Sequence, residues 1–252
     1  MQKVVAVDIG NSSMKVAVGS KEILVRIDAD LNDDERSVLL TSATRENESS
    51  LQWLICSVDR SQIDWLQSWV NSHRPQDDFR TIQADDIPLQ SNVEDRDALG
   101  RDRLLGAWYA SDCSSEGNSS IVVDAGTAVT IDVVVNQSHI GGLIFPGSHT
   151  CLAAVSDQTD ALPDLTKSKT PGLETSVQVG LSTEPAILLG VHQLQLFGIV
   201  ALVRSLEQQY GPCAEVWCCG GAIEPVSSLL PETWNYDRDF LIDAIFQLKK
   251  YL

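Results

Sequence analysis

Two stretches of the chain share one arrangement: an apolar run, then an aspartate, a glycine and a small polar residue, then a second run suited to a β-strand. The first reads VVAVDIGNSSMKVAV over residues 4–18, and the second reads IVVDAGTAVTIDVV over residues 121–134. Short apolar runs of this kind are typical of strands that are buried on both faces. The arrangement predicts two strand–turn–strand units whose turns carry groups that can bind phosphate.

The residues at the two turns suit a bulky anion. Gly10 and Gly126 have no Cβ where we expect the chain to bend tightly, which lets backbone N–H groups approach phosphate closely. Lys15 lies where the strand after the first turn could direct a positive charge back toward the loop. Short side chains that can donate to phosphoryl oxygens accompany the glycines: Asn11, Ser12, Ser13 and Thr127.

Asp8 and Asp124 need a different role, because a carboxylate alone repels phosphate. They suit the cation that accompanies a nucleotide, bound directly or through water. The alternative is that each motif is a plain β-hairpin, since Asp and Gly are ordinary turn formers. The repetition of the motif across nearly half the chain favours phosphate binding. Neither GxxxxGK[ST] nor GxGxxG occurs in the sequence.

The elements around the two turns are predicted to be similar. Residues 3–27 and 120–145 each read as three strands. Between these segments, apolar residues at helical spacing predict a helix within 96–112. A long helix is predicted from Thr183 to about residue 208, with Ser182 or Thr183 as its cap. This helix is apolar on nearly all sides, which indicates burial in the core or against a second subunit.

The repeated order predicts an α/β fold of two similar lobes, each a mixed β-sheet with helices, that face a shared nucleotide cleft. The turn-rich segment at 114–120 marks the boundary, so we expect an N-terminal lobe over 1–113 and a C-terminal lobe over 114–252. His149, just after the Pro-Gly that ends the last of the second three strands, is predicted to lie in a loop.

Composition bounds the function. The net charge of −17 argues against general binding to nucleic acid or to an anionic membrane surface. No membrane span is predicted, and the N-terminal residues read as a strand rather than a signal peptide. The six cysteines show no CxxC spacing, which favours reduced thiols and a cytoplasmic location.

Four motifs in order resemble the type III pantothenate kinases, within the acetate and sugar kinase/Hsp70/actin superfamily. The family patterns DxGNTxxK, GxDR, DxGTAxTxD and GGxIxPG are matched by Asp8–Lys15, Gly100–Arg103, Asp124–Asp132 and Gly141–Gly147. Ser12 replaces the usual threonine and keeps its hydroxyl. The resemblance covers roughly residues 3–225 and implies two ribonuclease H-like (actin-like ATPase) lobes.

The resemblance also implies the roles of individual residues. Asp102 would be the general base for the acceptor hydroxyl, Asp124 would hold a monovalent cation (K⁺ or NH₄⁺), and Asp8 would organise Mg²⁺ through water. The ATP phosphates would be contacted by Asp8, Gly10, Asn11, Ser12, Ser13, Lys15 and Thr127, and pantothenate by Gly100, Arg101, Asp102, Arg103 and Thr183. From the residues alone, Asp102 and Arg103 could equally be a solvated helix start, and Thr183 a simple cap.

The implied activity is the ATP-dependent phosphorylation of pantothenate to 4′-phosphopantothenate, the first step of coenzyme A biosynthesis. Family members act as homodimers in the cytoplasm, with ATP, Mg²⁺ and a monovalent cation. Two alternatives stay open at this point: another small-molecule kinase of the same superfamily, or a non-catalytic nucleotide-dependent regulatory protein.

Overall fold

The structure is a computed structural model that describes residues 2–19, 21, 23–45, 47, 49–57, 59–96, 98–114, 119–211 and 215–252. The chain divides into two compact units: unit 1 is Met1–Tyr109 with Asp239–Leu252, and unit 2 is Ala110–Arg238. Residues 115–118, within the predicted boundary segment, lie outside the described residues, and the boundary at 113/114 stays a prediction. The division places the terminal helix with unit 1, whereas the sequence pattern assigned it to the C-terminal lobe.

Unit 1 is built on a five-stranded sheet in the order β3-β2-β1-β4-β5. Strands β1, β2 and β3 are antiparallel, and β4 and β5 continue parallel to β1. Its elements are β1 Lys3–Ile9, β2 Ser13–Val18, β3 Ile23–Asp28, α1 Asp33–Thr44, β4 Leu51–Ser57, α2 Arg60–His73, β5 Asp78–Thr81, the short strand β6 Gln90–Ser91, and α6 Phe240–Leu248. Helix α3, Arg101–Cys113, begins in this unit and ends in unit 2.

Unit 2 repeats this plan. Strands β9-β8-β7-β10-β11 lie in the same order, with β7, β8 and β9 antiparallel and β10 and β11 parallel to β7. Its elements are β7 Ser119–Ala125, β8 Ala128–Val135, β9 Ser138–Pro146, α4 Ser148–Asp157, α5 Thr183–Tyr210, β10 Glu215–Cys219 and β11 Asn235–Tyr236. The predicted α/β fold with two similar mixed sheets is therefore confirmed.

Each sheet is fixed by its own apolar core. In unit 1, the inward side chains of β1, β2 and β4 are fully buried, among them Val5, Val16 and Trp53. Helix α6 packs on β1, β2 and β4, and its Phe240 is also fully buried. Burying a side chain of this size stabilises the fold by about 1.5–3 kcal/mol. This packing is why α6 belongs to unit 1 despite its distance along the chain.

Helix α4 corrects one expectation. His149 lies in the first turn of α4 and not in a loop. The N-cap is Gly147, which has no side chain to accept from the first backbone N–H groups. Because the N-cap position has no capping side chain, this helix lacks one of the main start signals in the sequence.

Helix α5 bears on the predicted absence of a membrane span. By length and composition alone this helix could cross a membrane, and 28% of its most apolar window is buried. Leu196, Ile199 and Val203 on its inner face belong to the core of unit 2. A core helix of a soluble protein passes the same test, so membrane binding does not follow from it.

Candidate active site

The first predicted turn joins β1 to β2. Asp8 is the last residue but one of β1, opposite Lys15 in β2 and next to Cys56 in the parallel strand β4. The Gly10 N–H donates to the carbonyl oxygen of Ser13 (3.0 Å), which closes the turn. Residues 10–12 are exposed, and the side chain of Lys15 is 18% exposed. The turn therefore leaves residues 10–12 accessible, with an acid and a base on adjacent strands beside it.

Lys15 has an ionic partner that the sequence did not reveal. Its Nζ lies 3.8 Å from a carboxylate oxygen of Asp239, the residue before α6. A second contact, from Lys21 Nζ to Asp243 (2.6 Å), ties the same helix to the residues after β2. The C-terminal segment thus helps to orient the lysine of the first turn, through tertiary packing that no local pattern reports.

Asp102 lies in the first turn of α3, where the helix dipole and the backbone N–H groups of the helix start favour a negative charge. Its Oδ1 accepts a hydrogen bond from the Arg103 N–H (2.8 Å). A Cβ added to Gly100 would overlap this oxygen, so Gly100 leaves the space that the carboxylate occupies. The glycine and the aspartate of the GxDR motif are therefore linked by direct contact.

Three of the predicted site residues of unit 1 influence the pKa of one buried thiol, that of Cys56. Burial raises the pKa of the Cys56 thiol well above its ordinary value, and the carboxylates of Asp8 and Asp102 raise it further. Arg101 acts in the opposite direction on the same group. Asp8, Arg101 and Asp102 therefore lie within electrostatic reach of this buried thiol, and Asp8 is its neighbour across the β1–β4 strand pair. Sequence reasoning did not assign Cys56 a place at the site.

A cavity of about 670 Å³ opens at the carboxyl ends of β4 and β5. Its lining is mixed in polarity and includes Ser57, Arg60, Gln67, Thr81 and Arg101. The ends of parallel strands are the usual place for ligands in α/β folds, and the volume is suitable for a small molecule.

The second turn, in unit 2, repeats the geometry of the first. Asp124 is the last residue but one of β7, opposite Thr130 in β8 and next to Cys219 in β10. The Gly126 N–H donates to the carbonyl oxygen of Ala128 (2.9 Å), and residues 126–128 are exposed. Each half of the chain thus places an aspartate between a hairpin partner and a cysteine on a parallel strand.

Gly220 makes room for the Asp124 carboxylate. Its φ is +91°, a conformation that favours glycine, and an added Cβ would lie 2.5 Å from Asp124 Oδ1 and would overlap the carbonyl oxygen of Ala125. The four sequence motifs do not include Gly220, and its close approach to Asp124 appears only in the structure.

The backbone of the two turns does not itself require glycine. Neither Gly10 nor Gly126 has a positive φ. An added Cβ would be 3.6 Å from the Ser13 oxygen in the first turn and 3.7 Å from the Ala128 oxygen in the second, which are ordinary contacts. The described part of the protein therefore leaves the space beside both glycines open.

Thr183 is the first residue of α5 and is exposed. The N-cap is Ser182, whose side chain makes no capping hydrogen bond. Thr183 is therefore not the cap, and it is an exposed residue at the helix start. It belongs to unit 2, whereas Gly100–Arg103 belong to unit 1.

The family model for type III pantothenate kinase matches residues 4–206 of the chain. The chain belongs to the type III pantothenate kinase family. A type III pantothenate kinase from Desulfovibrio desulfuricans is 31% identical over 245 residues, covering 89% of this chain and 88% of the relative. This confirms the family and the activity predicted from the sequence, the ATP-dependent phosphorylation of pantothenate in coenzyme A biosynthesis.

Two solved structures share the fold of this pantothenate kinase. A protein from Campylobacter jejuni, described as a Baf family transcriptional activator, has a TM-score of 0.62 at 19% identity, over 98% of this chain and 97% of its own. The archaeal actin homologue Ta0583 has a TM-score of 0.52 at 10% identity, over all of both chains. The actin-like fold is thereby confirmed, and at these identities the likeness concerns the fold alone.

The residues present fit the two implied cations. Among the described residues, no group of three or more His, Cys, Asp or Glu side chains could enclose a metal ion. Mg²⁺ bound with ATP needs no such cage, because it keeps several waters and takes one or two carboxylates together with phosphate oxygens. Asp8 offers such a carboxylate, and Asp124 offers another in the space that Gly220 leaves.

Proposed function

We propose that Asp102 is the general base of the pantothenate kinase reaction. It accepts the proton of the primary hydroxyl of pantothenate as that oxygen attacks the γ-phosphorus of ATP, and the β–γ bridging bond breaks to release ADP. Phosphoryl transfer depends mainly on positioning and charge neutralisation, with one carboxylate at the nucleophile. The observation that carries the proposal is the position of the Asp102 carboxylate at a helix start, beside Gly100 and near Asp8.

The first turn and Lys15 bind the phosphates of ATP in this proposal. The exposed residues Gly10, Asn11 and Ser12, with the half-buried Ser13, supply backbone N–H groups and short side chains, and Lys15 supplies charge. Thr127 of the second turn binds phosphate as well. The open space beside Gly10 and Gly126 supports this role, since no contact among the described residues explains the absence of a side chain at either position.

Two cations neutralise charge at the turns. Mg²⁺ would be held by Asp8 through water, and the monovalent cation, K⁺ or NH₄⁺, by Asp124. When bound, these ions offset the negative charge of the triphosphate. Because the chain itself carries a net charge of −17, local cations matter more here than in a basic protein.

Pantothenate would be bound by Gly100, Arg101, Asp102 and Arg103, together with Thr183. A guanidinium group forms paired hydrogen bonds with a carboxylate, which suits the acid end of pantothenate. Arg101 lines the cavity at the ends of β4 and β5, and this supports an acceptor site on that side of Asp102.

We further propose a cytoplasmic homodimer that binds neither nucleic acid nor membrane. An exposed apolar surface supports the dimer: Val177 is 75%, Val179 78%, Leu181 98% and Leu194 71% exposed. Contiguous apolar patches on a soluble protein commonly mark an interface. The net charge of −17 disfavours polyanionic partners and anionic membranes.

The base is tested by pantothenate-dependent ADP formation with Asp102→Asn. We expect a fall of about 10²–10⁴-fold in kcat, the usual contribution of a positioned base. Asp112→Asn, near the other end of the same helix α3, is the matched control and should keep wild-type rates. An Asp102→Asn enzyme within threefold of wild type would contradict the assignment.

The monovalent-cation site is tested by replacing K⁺ with Na⁺ in the same assay. Wild-type activity should fall sharply in Na⁺, and Asp124→Asn should be slow in both salts. Equal wild-type rates in K⁺ and Na⁺ would remove the role given to Asp124 and leave that of Asp102 intact.

A further inference from the structure

The carbonyl oxygen of Thr127, in the second turn, accepts two hydrogen bonds from the start of α4. The Gly147 N–H donates to it at 2.9 Å, and Thr150 Oγ1 donates to it at 2.7 Å. A Cβ added to Gly147 would overlap the Gly126 oxygen and lie 2.8 Å from the Thr127 oxygen. The absence of a side chain at Gly147 thus lets α4 begin directly against the turn.

The chain just before α4 is held in place by a hydrogen bond from helix α5. The side chain of Gln195, on α5, donates to the carbonyl oxygen of Pro146 at 2.9 Å, and Gln195 is only 9% exposed. The residue before Gly147 is therefore anchored to the long helix that packs on the sheet of unit 2. The chain at Pro146–Gly147 is thus hydrogen-bonded to α5 through Gln195, and Gly147 and Thr150 are hydrogen-bonded to the exposed turn.

We propose that Thr150 is a positioning residue, whose hydroxyl fixes the second turn in the conformation in which Thr127 meets the phosphates of ATP. The inference rests on the proposed role of Thr127 and adds to it a residue outside the turn. The turn is exposed, so ordering it only when ATP arrives would cost conformational entropy. The Thr150 hydrogen bond orders it beforehand, and no motif matched in the sequence includes this residue.

The test compares variants that remove or keep one hydroxyl. Thr150→Val and Thr150→Ala lose the donor, whereas Thr150→Ser keeps it. Thr159→Val is the matched control, because Thr159 Oγ1 makes the same kind of bond, to the Val155 oxygen at 2.7 Å, just beyond the other end of α4. All four are assayed for KM and kcat with ATP.

We expect Thr150→Val and Thr150→Ala to raise KM for ATP about fivefold, in line with one lost hydrogen bond, with a smaller change in kcat. Thr150→Ser and Thr159→Val should keep the wild-type KM. Calorimetric Kd values for a non-hydrolysable ATP analogue should change by the same factors, which a loss of helix stability alone would not produce.

Wild-type KM and Kd in both hydroxyl-free variants would overturn the proposal, and so would an equal effect of Thr159→Val or a failure of Thr150→Ser to restore binding. The proposed function is tested separately by Asp102→Asn. An enzyme that depends on Asp102 but is indifferent to Thr150 would refute only the positioning role.

Discussion

Replacement of Gly10 by alanine should separate folding from nucleotide binding. Among the described residues, the added Cβ would have one atom within 4 Å, the Ser13 oxygen at 3.6 Å, and Gly10 does not have a positive φ. Alanine is therefore compatible with the backbone. A compatible Gly→Ala change stabilises a protein by about 0.4–1 kcal/mol, because it restricts the unfolded chain. For a chain of this size, that predicts a rise of about 1–4 °C in Tm.

The same methyl group would occupy the space through which backbone N–H groups approach phosphate. We expect KM for ATP to rise about tenfold or more, equivalent to at least about 1.4 kcal/mol of lost binding. Differential scanning fluorimetry gives Tm, and the coupled assay for ADP gives KM. Gly172→Ala is the matched control, since an added Cβ there meets no described atom within 4 Å.

Two results would refute this reasoning about Gly10. A Tm several degrees below wild type would show that the backbone of the turn does need glycine. A stable Gly10→Ala enzyme with the KM of wild type would show that phosphate does not approach the turn at this point.

Three further predictions concern other residues. Gly220→Ala should lower Tm by several degrees and weaken activation by K⁺, because its φ is +91° and the new Cβ would meet Asp124; an unchanged K⁺ dependence would contradict this. With a thiol reagent at pH 8, exposed Cys113 should react in the native protein, whereas Cys56 should react only on unfolding, since burial raises its pKa; mass spectrometry of the labelled peptides decides. Burial lowers the pKa of His192 in the folded protein, so below about pH 6.5 the unfolded chain binds a proton more readily than the folded one and the free energy of unfolding falls. The His192→Gln protein should therefore lose less unfolding free energy than wild type between pH 7 and pH 5. Equal losses in the two proteins would refute this.

The two hairpins that the units share could be predicted, because each is encoded by a short local sequence pattern. Apolar runs followed by Asp-x-Gly give the β1–β2 and β7–β8 hairpins, and the structure pairs Asp8 with Lys15 and Asp124 with Thr130. Helix α4 could not be predicted, since its N-cap is a glycine without a capping side chain. The place of α6 in unit 1 depends on packing with strands that are far away in sequence.

In the candidate site, too, the sequence indicates the residues but not the tertiary contacts between them. Residue types and motif order identified Asp8, Asp102 and Asp124, because each stands at a fixed position in a short pattern. The contacts that position them come from distant segments: Gly220 against Asp124, and Asp239 beside Lys15. A single sequence does not report such contacts, because they arise from the pairing of strands and the docking of a helix.

The most direct test of the account is a crystal structure of the Asp102→Asn protein with a non-hydrolysable ATP analogue, Mg²⁺, K⁺ and pantothenate. We predict phosphate oxygens within hydrogen-bonding distance of the first turn at Gly10–Ser13 and of Thr127, with the pantothenate hydroxyl beside residue 102. A triphosphate bound away from both turns, or an acceptor hydroxyl far from residue 102, would contradict it.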